Sequence, residues 1–227
     1  IFWISLVGST LQYGMTFTGL SMLDASLAII IIHLEVPFSV LLAAIVLKDK
    51  PGSQRILGML ISFAGIVLIA GQPSLSEQLP AILLTAAGAM TWAVGQIMVK
   101  RLENPPSGFA LTAWIGVFSG PQMILGSFIF EDSQLESLAN ASWIGWGVIL
   151  YLALIMTVLG YGIWYHVLSR NHVSKVMPVM LLLPVFTIAS SMLFLGEEPS
   201  PMIFIGAAVV IGGVSMIVIT KDSKLTS

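Results

Sequence analysis

The sequence has no cysteine, and only 9% of its 227 residues are charged. The first absence excludes disulfides and thiolate metal sites. The second excludes a soluble fold: a soluble domain carries about 25% charged residues, and here 57% of the chain is hydrophobic. The net charge of −2 offers no basic field for nucleic acid. No His-Glu-x-x-His, glycine-rich phosphate loop or Gly-x-Ser-x-Gly occurs, and polar residues within apolar runs are single and scattered. Nothing argues for an enzyme, a metal or a cofactor. The twelve methionines read as adaptable filling between helices.

What remains is an all-α, polytopic membrane bundle. Eight apolar spans can be read at roughly 1–22, 25–47, 55–71, 79–99, 108–130, 143–168, 173–195 and 201–220. Short connections carry turn residues, such as Pro51-Gly52 and Asn104-Pro105-Pro106-Ser107-Gly108. Lys and Arg fall only in alternate loops: Lys48, Lys50 and Arg55, then Lys100 and Arg101, then Arg170 and Lys175, then Lys221 and Lys224. The other loops carry only acids. This bias places the basic loops and the C-terminus in the cytoplasm. Lipid is the first partner this pattern implies, and a plasma or inner membrane the location.

A shift of 148 residues lays Tyr13-Gly14 on Tyr161-Gly162, Ser26 on Ser174 and Pro51 on Pro199. It lays Gly58 and Gly65 on Gly206 and Gly213. Pro37 meets Pro184 if one residue is dropped. Spans one to three thus match spans six to eight, with opposite orientation. Two inverted copies are the mark of secondary transporters built from inverted repeats. The expectation is a ten-helix, five-plus-five parent whose first two helices are missing here. Residues 1–72 would be the incomplete first repeat, 73–220 the complete second repeat and 221–227 a cytoplasmic tail.

Span two holds His33-Leu34-Glu35-Val36-Pro37 near its middle. Ionisable residues at that depth are functional-site candidates by default. Glu35 could bind an ammonium group or carry a proton in an antiport cycle; as structure, it would be a carboxyl hydrogen-bonded to a neighbouring helix. His33 would equally serve as a neutral bridge between helices. Two residues apart on one helix, they point about 200° apart, so one cavity cannot take both. Pro37 and Pro184 remove backbone donors and free the carbonyls of His33 and Met180; Pro178 frees that of Ser174. Such kinks suit helices flanking a substrate site.

Tyr13 and its mate Tyr161 lie deep in spans one and six. Trp164, Tyr165 and His166 lie near the span end and read as an interfacial aromatic belt. In span four, Trp92 and Gln96 share a face and suit a polar cavity, while Gly88 and Gly95 permit close helix contact. Trp114 and Gln122 in span five are weaker versions of that case. Gly58, Gly65, Gly206 and Gly213 mark spans three and eight as scaffold helices packed by small faces.

These residues resemble the EamA-type branch of the drug/metabolite transporter superfamily. The features that carry the resemblance are Ala25-Ser26-Leu27-Ala28, Glu35-Val36-Pro37-Phe38, Leu47-Lys48-Asp49-Lys50-Pro51, Trp92-Ala93-Val94-Gly95, Gly160-Tyr161-Gly162-Ile163-Trp164, Leu183-Pro184-Val185-Phe186 and Leu195-Gly196-Glu197-Glu198. They look most like those of exporters of cysteine- and O-acetylserine-type metabolites. The resemblance implies a central cavity lined by spans one, two, four, six and seven, and alternating access by rocking bundles. It adds weight to Tyr13, Glu35, Trp92, Gln96 and Tyr161. The chain departs from the pattern at Lys48-Asp49, where the family has Gly-Glu, and at His33-x-Glu35.

The expected function is secondary export of small polar metabolites or amino acids, with proton coupling possible at Glu35. The alternative is a non-transporting membrane scaffold that uses the same fold.

Overall fold

The computed structural model describes residues 1–23, 25–49, 51–70, 79–132, 134–196 and 199–219. The boundary expected at 72/73, the acids Asp24, Glu77, Glu197 and Glu198, and the tail 221–227 lie outside the described residues. Among those described, the chain forms eight helical rods and no strand. They run over 2–20, 25–47, Ser53–Ala70, Leu79–Lys100, Gly108–Phe130, 143–170, 173–195 and Pro201–Ile219, and are numbered one to eight. A short helix, Gln134–Ala139, crosses the one long connection. Apolar runs of this length have few alternatives: in lipid, a helix satisfies its own backbone.

Six stretches are long and apolar enough to cross a bilayer: Ile30–Leu47, Leu79–Lys100, Gly108–Phe130, Trp143–Arg170, Val173–Phe194 and Pro201–Ile219. Ser53–Ile69 is a shorter apolar helix. Rod one is more polar, carrying Ser5, Ser9, Thr10, Gln12, Thr16 and Thr18.

Two rods break where proline denies a backbone donor. Rod two is helical over Ala25–Ile32 and again over Glu35–Leu42, with a turn at His33-Leu34 between them. Pro37 cannot donate to the His33 carbonyl, and Val36 N–H donates there instead at 3.2 Å. Rod seven tightens into a 3₁₀ stretch over Met177–Leu182, with Pro178 in its first turn. There the Leu183 N–H, just before Pro184, donates to the Met180 carbonyl. The same repair therefore serves both kinks. Pro37 predicts a kink in span two, and the structure places a turn at His33-Leu34, four residues before it. Glu35 and His33, on either side of that turn, are both buried, at 8% and 6% exposure.

Glycines set the closest contacts. Rods three and eight cross antiparallel, Gly58 against Gly213 and Gly65 against Gly206. A Cβ on Gly65 would lie 2.8 Å from the Gly206 carbonyl oxygen, and one on Gly206 would lie 2.9 Å from that of Gly65. Ser62 Oγ donates across the crossing to the Val210 carbonyl at 3.2 Å. Rods one and four meet in the same way, with a Cβ on Gly8 falling 2.9 Å from the Gly95 Cα. Small-residue faces let helices approach where lipid offers no hydrophobic drive.

Candidate functional site

Rods one and six both loosen into π-helical stretches, Leu6–Leu11 and Leu152–Tyr161. Such bulges widen the turn and often sit at functional sites. They bring Tyr13 and Tyr161 together, hydroxyl to hydroxyl, at 3.0 Å. The Tyr13 ring stacks on Phe17 with centroids 5.5 Å apart, and the Tyr161 ring lies 5.9 Å from that of Tyr165.

A cavity of about 310 Å³ opens between rods one, five and six, with this pair in its wall. Its other polar groups are Ser9, Thr112, Ser119, Thr157 and Tyr165; Phe17, Ile115 and Met123 supply apolar surface. No charged side chain lines it among the described residues. Thr112 and Thr157 donate to the Gly108 and Leu152 carbonyls of their own rod at 2.9 and 3.0 Å. Their oxygens remain available as acceptors toward the cavity. The site suits hydrogen bonding and aromatic contact rather than ion pairing.

The other expected site residues are placed differently. Gln96 is 1% exposed and Trp92 is 4% exposed; both sit in the packed interior, not in the cavity wall. Trp164 reaches them from rod six. Its indole N–H donates to Gln96 Oε1 at 2.9 Å, and its ring lies 6.1 Å from that of Trp92. Its position near the span end predicts an interfacial belt, and the structure instead turns it inward. Its place one turn after Tyr161 is the signal that could have tied it to the interior. Trp114 stands apart, half exposed and stacked on Phe118 with centroids 6.1 Å apart. Glu35 and His33 are buried beside the break in rod two, outside the cavity lining.

Rod five lines the cavity not through Trp114 but through Thr112, Ile115, Gly116, Ser119 and Met123, none of them singled out by the sequence. Gln122 lies on the same rod and accepts from Thr10 Oγ1 at 2.7 Å, tying rod five to rod one. The expected lining from rods two, four and seven does not form this cavity.

Known proteins share both sequence and fold with this chain. A protein of Salmonella typhimurium named "Probable amino-acid metabolite efflux pump" is 30% identical over 199 residues, 84% of this chain and 66% of that one. Its namesake in Escherichia coli is 28% identical over 211 residues, 89% of this chain and 70% of that one. The chain thus spans about two thirds of the length of these relatives. A solved crystal structure at 20% identity superposes with a TM-score of 0.80, covering 95% of this chain and 74% of that one; that likeness concerns the fold. The model of the EamA-like transporter family matches residues 1–71 and 79–219. With nearly the whole length matched, the chain belongs to the EamA-like transporter family, a family of membrane transporters and not of enzymes.

Proposed function

We propose that the protein is a secondary transporter that exports small polar metabolites, amino acids among them, by alternating access around the Tyr13–Tyr161 pair. The observation that carries this reading is the 3.0 Å contact between those hydroxyls. The two residues are 148 apart, the offset that relates the two halves of the sequence. A residue that touches its own repeat mate lies on the pseudo-two-fold axis. In an inverted repeat that axis runs in the membrane plane, so the pair sits at mid-depth, where such transporters bind substrate.

The five-plus-five plan has further support. Ser62 and Val210, also 148 apart, touch across rods three and eight. The two proline kinks resolve through the same backbone bond. The names of the two relatives, both probable amino-acid metabolite efflux pumps, support amino-acid metabolites as cargo and export as direction. In this reading the basic loops and the C-terminus are cytoplasmic, in the plasma membrane, and Glu35, buried beside the cavity, carries a coupled proton.

Proteoliposome flux with cysteine and O-acetylserine tests it. Tyr161→Phe should lower flux of at least one, and Glu35→Gln should flatten its pH dependence. Flux unchanged by both substitutions would sink the assignment.

The scaffold reading draws on one observation, the burial of Gln96 and Glu35 in a packed interior. Single cysteines separate the two in a chain that has none of its own. A scaffold leaves Thr157→Cys as unreactive to a water-soluble thiol reagent as Gln96→Cys. A transporter has Thr157→Cys react.

A further inference from the structure

The basic-loop end of the bundle is closed by a polar knot with no part in the cavity. Asp49, just past rod two, accepts from the Ser174 hydroxyl at 2.8 Å and from the Ser174 N–H at 3.0 Å. Arg55, at the start of rod three, donates to the same hydroxyl at 3.3 Å. His172 Nδ1 lies 3.3 Å from Asp49 Oδ1. Lys100, at the end of rod four, donates to the carbonyls of Leu168, Ser169 and Asn171 at 2.9, 3.1 and 2.6 Å. It also acts electrostatically on Asp49. The ends of rods two, three and four therefore converge on one connection, that between rods six and seven.

We infer that the Asp49–Ser174 contact is a latch: it holds the basic-loop end shut in the conformation described here and breaks when that end opens. The inference rests on the alternating-access reading. Three observations carry it. The contact joins residues 125 apart, one from each repeat. Its groups are nearly dry, with the Asp49 side chain 10% exposed and Ser174 1% exposed. A contact needed only for stability is served as well or better by apolar packing, whereas hydroxyls and carboxylates exchange each other for water when a seam parts. Finally, the repeat offset lays Asp49 on Glu197 and Ser174 on Ser26. The acid and the serine thus each have a like residue at the matching position of the other copy.

The test uses a Thr157→Cys reporter in the cavity, with the protein reconstituted in both orientations and a membrane-impermeant thiol reagent. Ser174→Ala removes the hydroxyl and preserves packing; Asp49→Ala removes the acceptor. Losing a hydrogen bond to a charged group shifts a two-state equilibrium on the order of tenfold. Each variant should therefore speed labelling from the basic-loop side about tenfold and slow it from the other side, and Asp49→Glu should restore part of the original ratio. Labelling that is unchanged, or that rises equally on both sides, overturns the latch. If Asp49→Ala fails to fold, Ser174→Ala alone decides. Labelling reads conformation and not flux, so an inactive transporter would leave this result intact.

Discussion

Tyr13 and Tyr161, 148 residues apart in the chain, are each other's hydrogen-bond partners, at 3.0 Å. Removing either hydroxyl breaks one bond, and removing both breaks no more. Interhelical hydrogen bonds inside membranes average about 0.6 kcal/mol. Tyr13→Phe and Tyr161→Phe should each destabilise by roughly that amount, and the double variant by less than their sum. Reversible unfolding in mixed micelles measures this cycle. Additive losses would mean that the hydroxyls do not interact.

Trp164 and Gln96 make an asymmetric pair. Trp164→Phe leaves Gln96 Oε1 without its indole donor in a site where Gln96 is 1% exposed. Stranding a buried acceptor costs about 1–3 kcal/mol. Adding Gln96→Leu should recover part of that loss in the same unfolding assay. A double variant less stable than Trp164→Phe alone would count against this account.

How much of this was legible in the sequence follows from how many solutions each signal allows. An apolar run of membrane length admits a helix and little else, so the rods lie close to the apolar spans. The proline kinks were visible because Pro37 and Pro184 each remove a known donor. The turn at His33-Leu34 was not, since a kink can also bend a helix without interrupting it. Trp164 illustrates the harder problem. An indole near a span end suits both an interfacial belt and an inward bond, and only the neighbouring rod carrying Gln96 decides. The π-helical stretches before Tyr13 and Tyr161 leave no compositional mark. Rod five became a cavity wall through small and hydroxyl residues, Gly116, Thr112 and Ser119, which taken singly resemble packing.

Lys48 and Gly196 fall on one another under the repeat offset, and both adopt left-handed backbone, with φ of 58° and 67°. Glycine takes that conformation freely, while a residue with a Cβ loses roughly 1–2 kcal/mol. Gly196 has nothing within 4 Å of a built Cβ, so Gly196→Ala isolates the backbone effect and should destabilise by about 1 kcal/mol. Lys48→Gly should gain roughly 0.5 kcal/mol, the relief being partly offset by chain entropy. Thermal unfolding of the two variants should move in opposite directions.

Gly65 and Gly212 form a matched test of close packing. A Cβ on Gly65 would meet the Gly206 carbonyl oxygen at 2.8 Å and the Val210 backbone nitrogen at 2.8 Å, whereas Gly212 faces open space. Gly65→Ala should destabilise by about 1–3 kcal/mol through overpacking, and Gly212→Ala should change little. Equal effects would show that rods three and eight are not in backbone contact.

That crossing has a mechanical consequence. Where rods three and eight touch, glycine backbone meets carbonyl oxygens, one serine hydroxyl and the β-branched side chains of Ile69, Val210 and Ile217. Backbone and β-branched side chains have few alternative arrangements, so the seam has little to rearrange. Any relative motion of the rods packed on its two sides would be smallest along this line and would grow with distance from it.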